Sequence, residues 1–293
     1  MISVKSNHTT TYRKQRTLKG PVSFSGIGLH TGESVNMNFV PAREGTGIIF
    51  KRIDLPDTPI IPAAVEYVSA NTRNTTLGIG KIAIHTVEHV LAAIKAYNID
   101  NLCIELDGIE PPVGNGSSDI FVNMIEKAGI TEQKEQTPIV KLNSPLYWSE
   151  GDVHIIALPC DRYKVSYTLN YPNTPLLKSQ YFSVDINEET FKREIAPCRT
   201  FALYEEVSAL IDRGLIKGAS LDNAVVIKDD TILSKNGLFF PDEMVRHKIL
   251  DVVGDLSLVG FDFLAHIISI CSGHASNTAF AKKIFNSITT ENN

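Results

Sequence analysis

The sequence predicts an α+β fold in two similar parts, each an antiparallel sheet backed by helices, with a cleft where the parts meet. Three observations carry this. The 293 residues suit about two domains at roughly 150 residues each. Segments with a two-residue apolar period open each half, and helices with an apolar stripe close it. A polar stretch near the middle separates the halves.

In chain order, the first 16 residues read as loose. Residues 35–40 (Val-Asn-Met-Asn-Phe-Val) alternate as a half-buried strand does, with turns at Gly26-Ile-Gly28 and Thr31-Gly-Glu33. Residues 56–73 are irregular, and 81–84 form a short strand. A helix over 86–97 buries Val87, Val90, Leu91 and Ile94 at i, i+3, i+4, i+7, with Thr86 as N-cap and Asn98 as the stop. A strand over 101–106, a turn-rich 110–117 and a helix over 119–128 follow. The polar residues 131–137 read as a linker, dividing the chain into domains 1–130 and 138–293. The second half runs through strands at 139–147, 153–158 and 164–170, an excursion at 202–226, a helix over 242–259, a strand-like run at 265–271 and a helix over 275–288. This order echoes the first half, down to a histidine in the helix that follows the early strands, His89 and then His247.

Composition removes several classes of function. Hydrophobic residues at 43% and charged residues at 21% are ordinary for a globular protein. Lys plus Arg total 28 against 33 acidic residues, a net charge of -5 without a basic run, which argues against nucleic acid as a partner. Cys103, Cys160, Cys198 and Cys271 are far apart and form no C-x-x-C pair, so reduced thiols in a cytoplasm are expected. The polar start lacks the apolar region of a secretory signal. The most apolar stretch, 256–271, contains Asp262 and His266 and is too short to span a bilayer.

Four segments carry candidate chemistry. In the helix over 242–259, His247, Asp251 and Asp255 recur at steps of four, so they lie within about 80° on one side at ~100° per residue. A histidine and an aspartate so placed can face one ion, and equally form a solvated polar face. Glu88 and His89 lie off the apolar stripe in the first turn of the earlier helix, where the dipole also favours a carboxylate. His274, in Ser272-Gly-His274, opens the last helix, where a protonated histidine needs a carboxylate such as Asp255. The excursion carries Leu203, Val207, Leu210, Ile211, Leu215 and Ile216, which suits a stripe packed on the sheet or the wall of an apolar channel.

Taken together, Gly26-Ile-Gly-Leu-His-Thr-Gly32, Thr86-Val-Glu-His89, Arg199-Thr-Phe201, Arg246-His-Lys-Ile-Leu-Asp251 with Gly254-Asp255-Leu256, and Ser272-Gly-His274 resemble the zinc-dependent UDP-3-O-acyl-N-acetylglucosamine deacetylase family of lipid A biosynthesis. The motifs occur in the family's order from about Arg16 to Ile284. The resemblance implies two βα sandwich domains, each with an insert, and an active site between them. It assigns one Zn2+ per chain to His89, His247 and Asp251, a ligand set that also accepts Fe2+. It implies Glu88 as general base, His274 as the cation at the departing amine with Asp255 sustaining its charge, and Thr200 as an oxyanion donor. Lys248 and Phe201 are implied in substrate binding, and Leu29, Leu203, Val207, Leu210 and Ile216 beside the acyl chain. The implied partner is an acylated UDP-N-acetylglucosamine, with the chain acting as a monomer without an integral membrane segment. One departure is Asn115-Gly-Ser117, where the family often has Asp-Gly-Ser. A zinc hydrolase of the same fold acting on another sugar nucleotide is the rival expectation, and a binding module with structural histidines is the non-catalytic one.

Overall fold

A computed structural model describes residues 4–5, 8–71, 73–212 and 214–289. The first half contains β1 (Thr9–Leu18), β2 (Val22–Ile27), β3 (Ser34–Pro41), β4 (Ile48–Arg52), β5 (Ile60–Pro62), β6 (Val68–Ala70), β7 (Thr76–Ile79), β8 (Ile82–Ile84), α1 (Glu88–Ala96), β9 (Leu102–Leu106) and α2 (Asp119–Ala128). The second contains β10 (Ile130–Lys141), β11 (Leu146–Glu150), β12 (Val153–Pro159), β13 (Tyr163–Tyr171), β14 (Lys178–Asp185), α3 (Glu188–Thr190), β15 (Phe201–Leu203), α4 (Tyr204–Asp212), β16 (Val225–Lys228), β17 (Thr231–Leu233), α5 (Glu243–Ser257), β18 (Asp262–Ile270) and α6 (His274–Ile288).

Two main sheets result. One runs β2-β3-β9-β4-β5, and the other runs β1-β10-β18-β12-β11 with β13 and β14 joined through β18. In β3 the alternation is real: Val35, Met37 and Phe39 are buried while the polar residues between them face outward. The two halves share a sequence of helix, central strand, helix. After α1 comes β9, parallel to β4, and after α5 comes β18, parallel to β10 and β13. The sheets are thus mixed rather than wholly antiparallel.

Two expectations fail together. The polar stretch read as a linker lies inside β10, and the loose start is a strand from Thr9 onward. They pair with each other antiparallel, from Thr9↔Lys141 to Leu18↔Ile130. Neither strand has an apolar face to announce it, since β10 buries only Val140. The ribbon is held by its backbone ladder and by the ion pair Lys14–Glu132 at 3.3 Å, and Arg13–Asp100 at 2.7 Å ties it to the segment before β9. The first strand of the chain therefore belongs to the sheet of the second half.

α1 and α5 pack against each other in the interior. Glycine at 254 permits their approach: a Cβ there would lie 2.1 Å from the backbone oxygen of Glu88. α1 buries all but Lys95 of its nine residues, so it shows no polar outer face.

Candidate metal centre and its cavity

α1 and α5 each bring a histidine to the point where they cross. The candidate ligand atoms of His89, His247 and Asp251 all lie within 4.8 Å of one another, and all three residues are buried. His247 Nε2 is 3.4 Å and His89 Nε2 3.7 Å from Asp251 Oδ1, and the two imidazoles stand edge to face at 5.0 Å. Burial, together with the neighbouring His247, pushes the His89 imidazole down to about 3, and burial lowers His247 as well, so both rings are neutral at physiological pH. His247 Nδ1 donates to the carbonyl of Cys198 at 3.0 Å, which leaves the Nε2 lone pair directed at the cluster.

Asp251 decides what this cluster suits. Its Oδ2 accepts from Lys248 Nζ at 2.8 Å, but its buried Oδ1 has no hydrogen-bond partner among the described residues. Burial alone would raise this carboxyl, yet Lys248 and the histidines outweigh it and hold the group well below the carboxylate range. A buried carboxylate oxygen without a donor, between two neutral imidazoles, fits a divalent cation.

Beside the cluster lies a second polar group. Glu88 Oε2 accepts from the backbone N–H of Thr75 at 3.0 Å, while Oε1 lies 3.8 Å from His274 Nε2. Burial is the main reason the Glu88 carboxyl is pushed up to about 7, with Asp255 and Asp251 adding to it against the pull of His274. His274 begins α6, and its Nδ1 donates to Asp255 Oδ2 at 2.9 Å. Burial disfavours its charge, but Asp255 and Glu88 reverse the balance and push it up to about 10. Asp255 is fully buried and also accepts from Thr75 Oγ1 at 2.5 Å and Asn277 Nδ2 at 2.9 Å. The arrangement places a carboxylate able to take a proton beside an imidazolium able to give one.

A cavity of about 650 Å³ opens onto these groups. Glu88, His89, Thr200, Phe201, His247, Lys248, Asp251 and His274 line it, as do Leu29, Leu203, Val207, Leu210 and Ile216. Asp255 does not reach the wall and acts from behind His274. α4 has no fully buried residue, and its Val207, Leu210 and Ile211 line the cavity, which favours the channel over the packed stripe. Within the excursion, α4 spans Tyr204–Asp212. A larger groove, about 1680 Å³, runs along β1, β10 and the ends of α1 and α6 and contains none of these residues. Size alone therefore does not identify the site.

The chain matches a known family over nearly its whole length. A model of the UDP-3-O-acyl N-acetylglycosamine deacetylase family matches residues 15–286. The chain belongs to this family. Proteins named UDP-3-O-acyl-N-acetylglucosamine deacetylase from Chlamydia felis and Chlamydia pneumoniae are 52% and 50% identical over 272 and 277 residues, covering 93% and 94% of this chain and 97% and 98% of theirs. The Chlamydia caviae protein of that name is 51% identical over 272 residues, 93% of this chain.

Within this deacetylase family member, several supporting contacts escape a reading of the sequence. Thr75 lies on an irregular segment with no periodicity to mark it, yet it bonds both Glu88 and Asp255. Arg199, 1% exposed, sits between Cys198 and Thr200 and pairs with buried Glu243 at 2.8 Å, clamping the irregular segment before β15 that presents both neighbours. Thr200 is also fixed through its backbone N–H to Gly116 O at 2.8 Å. Asn115 loses little by not being aspartate, because its Oδ1 accepts from Ser117 N and Oγ at 3.2 and 2.7 Å as a carboxylate would. Thr86 is not the N-cap of α1: Val87 holds that position, and Thr86 adopts a left-handed φ of 56°.

Among the described residues, no helix is long and apolar enough to cross a membrane.

Proposed function

We propose that this chain hydrolyses the 2-acetamido group of a UDP-3-O-acyl-N-acetylglucosamine, releasing acetate and the free amine for lipid A biosynthesis. One Zn2+ would be held by His89, His247 and Asp251, although two imidazoles and a carboxylate also accept Fe2+. The observation that carries this is the juxtaposition, in one cavity, of that cluster, the Glu88–His274 pair and a long apolar wall. An acylated polar substrate needs both ends.

The cation, when bound, polarises the amide carbonyl and lowers the pKa of water nearby. Glu88, fixed through Thr75 N–H, takes a proton from the attacking water as its oxygen bonds to the amide carbon. As the C–N bond breaks, the amine nitrogen takes a proton from His274, whose charge Asp255 sustains. The Thr200 hydroxyl, on the cavity wall, donates to the oxygen that gains charge. Lys248 and Phe201, 5.6 Å apart across the ring face, bind the polar part of the substrate. Leu29, Leu203, Val207, Leu210 and Ile216 take the acyl chain. All of these residues come from one chain, which is consistent with a monomer, and free cysteines fit a cytoplasmic setting.

The test is metal content and acetate release for the wild type and a His247→Ala, Asp251→Ala double variant. About one zinc per chain, lost together with acetate release, is expected. Equal turnover of acylated and unacylated UDP-N-acetylglucosamine would move the reading to the rival sugar-nucleotide hydrolase. Activity without metal would overturn it.

A further inference from the structure

Three residues, 85–87, separate the end of β8 at Ile84 from the start of α1 at Glu88. The chain turns there through a left-handed Thr86, φ 56°. It is clamped on both sides, His85 N–H donating to Ile109 O at 2.9 Å and Val87 N–H to Thr75 O at 3.2 Å. The turn delivers Glu88 and His89 to the cluster, so its geometry is needed. A β-branched side chain is not, since glycine or asparagine adopts this conformation with far less strain. The hydroxyl does not help the backbone either, because α1 has no side-chain cap. Thr86 Oγ1 is shielded from solvent without a hydrogen-bond partner among the described residues. Yet Thr86 lines the cavity together with Glu88 and His89.

A residue that is strained and unsatisfied carries two unfavourable features, and they concentrate where a ligand compensates them. We propose that Thr86 Oγ1 is a substrate-contacting group, hydrogen-bonded to a polar atom of the sugar that bears the scissile amide. This rests on the deacetylase reading above. The contact lies on the Glu88 side of the reacting group, while Thr200 and Phe201 approach from β15 and the segment before it. Threonine is kept at the cost of backbone strain because the bound state, not the free protein, uses its oxygen.

Thr86→Ala and Thr86→Ser test this, since both remove the β-branch and they differ from each other by one oxygen. Both should melt at or above the wild-type temperature and keep wild-type metal content. Thr86→Ser should hold kcat/KM within about threefold, and Thr86→Ala should lose about 10- to 100-fold, the scale of one polar contact to substrate. The assignment is overturned if Thr86→Ala retains activity, if the two variants lose activity equally, or if only Thr86→Ala loses stability, which would make the hydroxyl structural. A wild type that releases no acetate would defeat the deacetylase reading alone. The same pair, compared for calorimetric binding of UDP-N-acetylglucosamine, then decides the role of Thr86: Thr86→Ser should bind about as the wild type does and Thr86→Ala more weakly, equal binding overturning it.

Discussion

α1 and α5 supply the same kind of residues to one point by different means. α5 spaces His247, Asp251 and Asp255 four apart in the middle of a 15-residue helix, so ordinary helical geometry aligns them. α1 offers Glu88 and His89 as neighbours at its first turn, about 100° apart, and reaches the site only because a strained turn at Thr86 and the contact at Gly254 aim them. Periodicity builds a rigid row of polar side chains, whereas a helix terminus turns two adjacent residues toward different partners. His89 faces His247 and Asp251 while Glu88 faces His274.

The sharpest break in this comparison comes from removing the functional group each helix contributes. Asp251→Ala should abolish bound metal and reduce acetate release by more than about a thousandfold, measured by metal analysis and turnover. Glu88→Gln should keep the metal and still lose about 10²- to 10⁴-fold in kcat, the scale of one general base. Loss of metal from Glu88→Gln would show that the two neighbours in α1 do not have separable roles.

Next in size is the crossing itself. Gly254→Ala places a Cβ 2.1 Å from the Glu88 backbone oxygen, and that backbone must move. Destabilisation of about 1–3 kcal/mol is expected, as for overpacking. Because α1 shifts relative to α5, kcat should fall about 10²-fold, which tracks geometry rather than chemistry. An unchanged Tm and kcat would mean that the two helices need not be held in register.

The pH profile separates the Glu88–His274 pair. kcat/KM should rise as Glu88 loses its proton, at or below the value of about 7 that burial and its acidic neighbours impose, since a bound cation favours the carboxylate. It should fall as His274 loses its proton near about 10. In His274→Asn the alkaline limb should disappear. His274 is raised in the folded state from 6.5, so its contribution to stability is complete below about pH 6.5 and is lost as the pH rises through about 10. Urea melts at pH 6 and pH 10 check that sign.

The smallest effect is expected away from both helices. Asn115→Asp should change kcat/KM by less than about threefold, because the turn bonds to Ser117 are already made by the amide oxygen.

Much of this was legible from residues alone. Helices close to α1, α2, α5 and α6 are expected from the sequence, α1 and α5 on their apolar stripes, and Asn98, with its left-handed φ of 51°, ends α1 as its type suggests. The β1–β10 ribbon was not legible, since two polar strands satisfy each other's backbone without a buried face to show a period of two. For the same reason a polar stretch at mid-chain resembled a boundary.

At the site, the His247 row and the ordered motifs were visible because helical repeat and motif order are properties of the chain. That they meet His89 within 4.8 Å is not, because the crossing of α1 and α5 depends on packing across about 160 positions of sequence. Burial decided the remainder. The same Glu88 and His274 side chains would titrate ordinarily in water; burial pushes Glu88 up, whereas His274 is pushed up against its own burial by Asp255 and Glu88. Residue types and local periods thus determined which groups were available to this protein, while tertiary structure set their distances and the dielectric around them, because both depend on atoms that neighbouring residues in the chain do not supply.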